Sequence, residues 1–310
     1  MRVVRHLERV SQRLGPVVLT LGNFDGVHRG HEAIIRRAVA EAAGRGAQAA
    51  VLTFHPHPVA VLAPERATPR IQTLHDRLER FRVLGVDLAV VQRFTPTFAA
   101  VGAEAFVTEF LLPRLEVVHV VVGHNVSFGR RREGTVETLR ALGARHGFTV
   151  EDVGPVKAGS EDVSSTALRR VVAAGDVARA AELLGRPHAL RGRVVGGERR
   201  GRLLGFPTAN LHLKPGVLLP PDGVYAVRAR IGDAARAAVM NIGMRPTFGS
   251  LRRTVEVHVL DFDGDLYGRW LVVELIARLR GEQRFAGVDA LRAQIAADVA
   301  QARDVLGAGA

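Results

Sequence analysis

The chain contains no cysteine. Disulfides, thiolate metal centres and cysteine nucleophiles are therefore excluded, and a cytoplasmic setting is expected. Lysine is almost missing too. Lys157 and Lys214 stand alone, and every other residue among the 43 Lys and Arg is arginine. A P-loop needs Gly-Lys-Ser/Thr after a glycine-rich loop, and neither lysine has that context. A nucleoside triphosphate would have to be bound without a Walker lysine. Aromatic side chains make up 5 % of the chain, and no basic stretch is interleaved with stacking rings, which argues against a platform for single-stranded nucleic acid. No apolar run is long enough to cross a membrane. The opening Met1-Arg2-Val3-Val4-Arg5 is basic, but the apolar run behind it is short and lacks a small-residue cleavage site, so no secretory leader is expected.

What is present describes a folded protein. Of 310 residues, 47 % are hydrophobic, enough for one large domain or two ordinary ones. The net charge of +12 divides into +5 over 1–184 and +7 over 185–310, with no basic tail. Anionic small-molecule substrates account for such a charge as well as nucleic acid does. The first half alternates strand-like and helix-like segments. Strands are expected at 16–21, 49–54, 87–92, 117–122 and 148–153. Helices are expected at 31–44, 73–84, 103–112, 135–146, 165–174 and 176–184. This alternation implies an α/β, doubly wound parallel sheet whose ligands sit beyond the strand C-terminal ends. After Gly185-Arg186-Pro187 the texture changes to strands at 190–195, 224–231, 237–242, 254–261 and 270–279, then one helix at 288–306. That pattern implies an antiparallel β-barrel with a C-terminal helix. The expected domains are 1–184 and 185–310.

Four strings carry chemistry. Gly22-Asn23-Phe24-Asp25-Gly26-Val27-His28-Arg29-Gly30-His31 joins a buried strand to an amphipathic helix. Helix N-termini offer free N–H groups and a positive dipole end to phosphate, the glycines allow close approach, and His28 and His31 can donate hydrogen bonds. With His55, His57 and Asp25, the same histidines also permit a metal-hydrolase reading. Thr53-Phe54-His55-Pro56-His57-Pro58 reads as a stiff strand exit or as a wall presenting His57 to a ligand. Gly123-His124-Asn125-Val126-Ser127-Phe128-Gly129 precedes three arginines, and Asn125 could bind ribose or phosphate. Val163-Ser164-Ser165-Thr166-Ala167-Leu168-Arg169 offers an N-cap that could also clamp phosphate, with Arg169 assisting.

These four strings, in this order, resemble the nucleotidylyltransferase module of bacterial bifunctional riboflavin kinase/FAD synthetases. The resemblance implies that Gly22, Phe24, Asp25, Gly26, Asn125, Ser164, Ser165, Thr166 and Arg169 serve ATP or its phosphates, that His28 and His31 are catalytic, and that His57 borders flavin. His124, Asn125 and Ser127 stand where many relatives carry acidic residues and an arginine. The second half is similar to the same family through Gly201-Arg202-Leu203-Leu204-Gly205-Phe206-Pro207-Thr208-Ala209-Asn210, Asn241-Ile242-Gly243-Met244-Arg245-Pro246-Thr247-Phe248, Val255-Glu256-Val257-His258 and Leu279-Arg280-Gly281-Glu282. Here the resemblance makes Glu256 the general base and places Gly205 and Pro207 at ATP. Thr208 and Asn210 offer oxygens suited to Mg²⁺, and Arg280 and Glu282 border the flavin.

Two reactions are implied. Riboflavin and ATP would give FMN and ADP in the barrel, and FMN and a second ATP would give FAD and pyrophosphate in the first domain. Mg²⁺ would serve both. The expected partners are small molecules (riboflavin, FMN and ATP), with no nucleic acid and no membrane, for a monomer or weak homo-oligomer. The competing reading is an adenylyltransferase for another small phosphate, carrying an accessory barrel.

Overall fold

The computed structural model describes residues 1–197, 200–247 and 250–307. Phe248, the last residue of one quoted string, lies outside them. The chain divides into two compact units, Met1–Ser165 and Thr166–Ala310.

The first unit is built on a six-stranded, all-parallel sheet. Its strands are β1 (Arg2–Arg5), β2 (Leu14–Leu21), β3 (Gln48–His55), β4 (Leu88–Arg93), β5 (Leu115–Gly123) and β6 (Thr149–Val153), in the spatial order β1-β4-β3-β2-β5-β6. From β2 the chain winds one way through β3 and β4 and the other way through β5 and β6. The order reverses between β2 and β5, where crevices open beyond the strand C-termini. The central strands are apolar on both faces. Val17, Leu19 and Leu21 pack with Phe106, Leu139 and Leu142, while Val18 packs with Ala38 and Ala42 on the other face. The helices are α1 (Arg29–Gly44), the short α2 (Pro58–Leu62), α3 (Leu74–Val83), α4 (Pro96–Ala99), α5 (Ala103–Ala105) and α6 (Val136–His146). The helix expected over 103–112 is α5 continuing as a π-helix, Phe106–Leu111. Two further strands, β7 (Lys157–Ala158) and β8 (Glu161–Asp162), form a small hairpin.

The second unit opens with α7 (Ser165–Ala174, whose first residue closes the first unit) and α8 (Val177–Leu184). Its strands are β9 (His188–Val195), β10 (Ala209–Leu213), β11 (Gly223–Ile231), β12 (Ala234–Thr247), β13 (Ser250–Val259) and β14 (Trp270–Arg280). They close a barrel in the order β10-β13-β12-β11-β14-β9, with every pairing antiparallel. A short α9 (Arg200–Leu203) precedes β10, and α10 (Val288–Leu306) ends the fold over the span expected for it.

Alternation decides what fills the barrel. Leu190, Val194, Leu211, Tyr225, Val227, Met240, Val255, Val257, Leu271 and Val273 form its core. The opposite face of β11, through Val224 and Ala226, packs with Val239, Ala302 and Leu306. The C-terminal helix therefore lies along the outer wall. That position explains why the first five residues of β11 are all buried. Val177 of α8 joins the barrel's own core cluster. Packing thus divides the chain at 165/166, whereas the boundary expected at 184/185 follows the change of sequence texture.

Candidate active sites

At the end of β2 the chain turns sharply. Gly22 N–H donates to Leu52 O at 3.1 Å. Phe24 (φ 50°), Gly26 (φ 91°) and Val27 (φ 38°) then take left-handed conformations. Such strain persists only where the surroundings fix it. The Phe24 ring is buried edge-on to Phe81, with centroids 5.6 Å apart. The Asp25 carboxylate accepts from Ile71 N–H at 3.2 Å, and Ser165 Oγ donates to Asp25 O at 2.8 Å. Phe24 and Asp25 therefore shape the turn from beneath.

The turn delivers His28 to the N-cap of α1. Its Nδ1 accepts from His31 N–H at 3.3 Å. An Nδ1 used as acceptor leaves the ring proton on Nε2, so His28 is set to donate from that atom. The two imidazoles stack with centroids 3.6 Å apart at 18°. A methyl group on Gly30 would lie 3.3 Å from the His28 ring and 3.4 Å from Val163 O, so glycine there makes room for the imidazole.

The other expected groups are distributed as follows. The Asn125 amide and Ile34 of α1 flank Gly123, their nearest atoms 3.5 and 3.2 Å from the point where its Cβ would stand. Ser127 Oγ accepts from Arg132 Nε at 2.8 Å. His57 caps α2, its Nδ1 accepting from Val59 N–H at 3.3 Å, with Pro58 at the first helical position. Ser164 is half-buried just ahead of α7. Thr166 is exposed and Arg169 half-buried on α7, in the second unit.

In the barrel, strand register builds the site. Asn210 of β10 and Asn241 of β12 pair with Glu256 of β13 from either side. Because Val255 and Val257 point into the core, Glu256 faces outward, and the three polar side chains form a row across three strands. A methyl on Gly197 would overlap the Asn210 amide, and one on Gly243 would overlap the Glu282 carboxylate. Thr208 and Pro207 line a cleft of about 570 Å³ with Val194, Phe262, Asp263 and Tyr267. His258 Nδ1 lies 2.7 Å from Pro207 O and donates to it, its ring edge-on to Phe206. Gly205, at φ 88°, turns the chain into this segment. Thr208 and Asn210 supply hard oxygen donors two residues apart, and the donor set suits a small divalent cation. Arg280 is engaged with α10: its Nη2 meets Asp298 Oδ2 at 2.8 Å and its guanidinium lies 5.7 Å from the Phe285 ring centre. Asn241, His258 and the Phe262–Tyr267 side of the cleft carried no assigned role in the sequence. Their strings are visible there, but their approach to Glu256 and Thr208 depends on register.

The metal-hydrolase reading finds no support at the opening turn. Among the described residues, the group of three whose histidine and carboxylate ligand atoms all lie within 4.8 Å of one another is Glu41, His119 and Glu151. Arg37 pairs with both glutamates, at 2.6 and 2.7 Å, and Arg45 with Glu41 at 2.9 Å. Two guanidiniums already neutralise the two carboxylates, which makes this an ion-pair lattice tying α1 to β6.

Residues 10–167 match the family model described as FAD synthetase, and residues 184–306 match the one described as riboflavin kinase. The chain belongs to the bifunctional riboflavin kinase/FMN adenylyltransferase family. It is 40 % identical to the Escherichia coli (strain K12) bifunctional riboflavin kinase/FMN adenylyltransferase, covering 99 % of this chain and 98 % of the relative. The Pseudomonas fluorescens member is 41 % identical over 98 % of this chain and 97 % of its own. The Bacillus subtilis (strain 168) member is 36 % identical over 94 % and 93 %. A Streptococcus pneumoniae crystal structure described as a macrolide-efflux protein superposes with a TM-score of 0.87 at 30 % identity, over 97 % of this chain and 98 % of that one. Among the described residues here, no helix is long and apolar enough to cross a membrane. As a bifunctional riboflavin kinase/FMN adenylyltransferase, the chain is a transferase of flavin biosynthesis. The riboflavin kinase match over the barrel disfavours an accessory role for it.

Proposed function

We propose that the two sites act in sequence, the barrel making FMN and the sheet unit consuming it. In the barrel, Glu256 takes the proton of riboflavin's terminal ribityl hydroxyl. That oxygen bonds to the γ-phosphorus of ATP as the bond to the β,γ-bridging oxygen breaks, giving FMN and ADP. Thr208 and Asn210 would hold Mg²⁺, which supplies charge neutralisation at the nucleotide phosphates when bound. Asn210 and Asn241 keep the Glu256 carboxylate between two amides. Gly205, Pro207 and the Phe262–Tyr267 cleft receive the nucleotide, and Glu282 borders the flavin.

In the sheet unit, an FMN phosphate oxygen attacks the α-phosphorus of a second ATP, and the bond to the α,β-bridging oxygen breaks. FAD and pyrophosphate result. FMN is itself the nucleophile, so the protein positions and stabilises charge. His28 Nε2–H, His31 and the first N–H groups of α1 meet the phosphates. Asn125, Ser164 and Ser165 assist, and His57 stands on the flavin side. Mg²⁺ in this step, the cytoplasmic setting and a monomeric or weakly self-associating state belong to the same reading.

The observation that carries the reading is His28 capping α1 with Nδ1 while its ring stacks on His31 at the mouth of the helix. Incubation of the purified chain with riboflavin and MgATP tests it, with FMN, FAD, ADP and pyrophosphate resolved against time. FMN and ADP should rise first, then FAD and pyrophosphate. Adenylylation of supplied FMN without any phosphorylation of riboflavin would leave the barrel without its assigned step.

A further inference from the structure

One buried cation near the first site belongs to none of the quoted strings. Arg77, on α3, is 7 % exposed and shares the buried face of its helix with Phe81. A guanidinium is costly to bury, and an aliphatic side chain would fill the space more cheaply if packing were its whole task. Arg77 makes specific bonds instead. Its Nη1 donates to Asn23 O and, at 3.1 Å, to Thr53 Oγ1, while Thr53 Oγ1 donates to Asn23 O at 3.2 Å. Asn23 O is the carbonyl immediately ahead of Phe24, the first left-handed residue of the turn. The far side of the turn is held by Ile71 N–H on the Asp25 carboxylate and by Ser165 on Asp25 O. Arg77 is therefore the fastening at the entry, and it joins the ends of β2 and β3 through one group.

The charge is also incompletely cancelled. Arg77 Nε has no hydrogen-bond partner among the described residues. Burial pushes the guanidinium down to about 10 against the opposing pull of Asp25, so it remains a cation at neutral pH. A cation in poorly screened surroundings under an anion-binding turn adds positive potential there.

We propose that Arg77 is a positioning residue for adenylyl transfer: by fixing the Asn23 carbonyl and the Thr53 hydroxyl it sets the strained turn that aims His28 and the α1 N-terminus at the phosphates. The proposal rests on adenylyl transfer taking place at this turn, which FAD formation by the unaltered chain tests separately.

The test uses the full chain with Arg77→Met, which keeps length and loses the donors, and Arg77→Lys, which keeps charge and loses the fork. FMN adenylylation is followed in a single turnover at saturating ATP, so that the rate constant and the amplitude are read independently. Riboflavin kinase activity in the same molecule is the internal control. Arg77→Met should lower the rate constant roughly 10- to 100-fold, the size expected of misplacement near reacting groups, with amplitude and kinase activity unchanged. Arg77→Lys should recover a large part of the rate. A wild-type rate constant in Arg77→Met overturns the proposal. So does a reduced amplitude in which the surviving molecules react at the wild-type rate, since that describes support of folding alone. Should Arg77→Met fail to fold, Thr53→Val removes one bonded hydroxyl at nearly constant volume and should slow the step several-fold. An unchanged rate in Thr53→Val then overturns the proposal. If the unaltered chain makes no FAD, the reading of the site fails first. If it does and Arg77→Met matches it, Arg77 alone is misassigned.

Discussion

The two proposed phosphate sites are built on opposite architectures. In the sheet unit, the working groups stand beyond the strand ends, on a turn whose shape is forced by buried anchors: Phe24, Asp25 and Arg77. In the barrel they stand on the strands themselves. Asn210, Glu256 and Asn241 form one outward row set by hydrogen-bond register. A turn brings backbone N–H groups to a ligand but must be braced against strain. A strand row needs no bracing, but it offers only side chains, and loops must close over it. Adenylyl transfer to an incoming phosphate calls for donors around an anion, the part proposed for the helix mouth. Phosphorylation of an alcohol calls for a base, the part proposed for the strand carboxylate Glu256.

The comparison breaks most visibly by separating the activities. His28→Ala with His31→Ala should cut FAD formation by about 10³-fold or more while FMN accumulates, and Glu256→Gln should stop FMN formation while supplied FMN is still adenylylated. Chromatography of the products checks both, and loss of both activities in either folded variant would merge the two sites. A smaller effect concerns the barrel wall. Arg280 and Asp298 form a nearly buried pair, with side chains 16 % and 4 % exposed. Arg280→Met leaves a buried carboxylate behind and should destabilise the second unit by about 3–5 kcal/mol, read as an earlier denaturant transition with FAD formation retained. Asn241→Ala, which removes the amide in register beside Glu256, should slow riboflavin phosphorylation roughly tenfold through looser placement of the base and leave adenylylation unchanged in a steady-state assay. The smallest expected effect is on pH. Burial lowers His119, and Arg37 lowers Glu151. Depressed values favour the deprotonated forms in the folded state, so this stability is complete above the unfolded values and is lost as pH falls through the folded ones. For His119 the loss begins near its reference value of 6.5, for Glu151 near 4.5. In the second unit Asp261, held low by Arg303, gives way from 3.8 downward. Melting from pH 7 to 4 should therefore weaken the sheet unit first, and His119→Gln should flatten that slope.

Much of this was legible in the sequence because period and punctuation are local. The helix over 288–306 begins and ends where expected, and the alternation Val255, Glu256, Val257 foretells an outward carboxylate. β10 escaped notice because its five residues, Ala209–Leu213, lie between a glycine-rich stretch and Lys214-Pro215-Gly216, too short a run for periodicity to register. β1 is shorter still, with arginines at both ends. Arg280 stands in a string the family shares, yet its guanidinium is turned to Asp298, eighteen positions later. Arg77 carries no motif at all. Its importance arises from Asn23 and Thr53, 54 and 24 positions away, and no pattern within one segment encodes that meeting.

His28 closes its own helix with one ring nitrogen, which leaves the ring proton on the other. Drift at this codon therefore meets two kinds of selection at once. Asparagine could still cap the helix but would present an amide in place of an imidazole. A residue chosen only to greet an anion would leave the first helical turn without its latch. Variation around this chemistry should accordingly collect at neighbouring positions such as 29, whose side chain is exposed, and bypass 28.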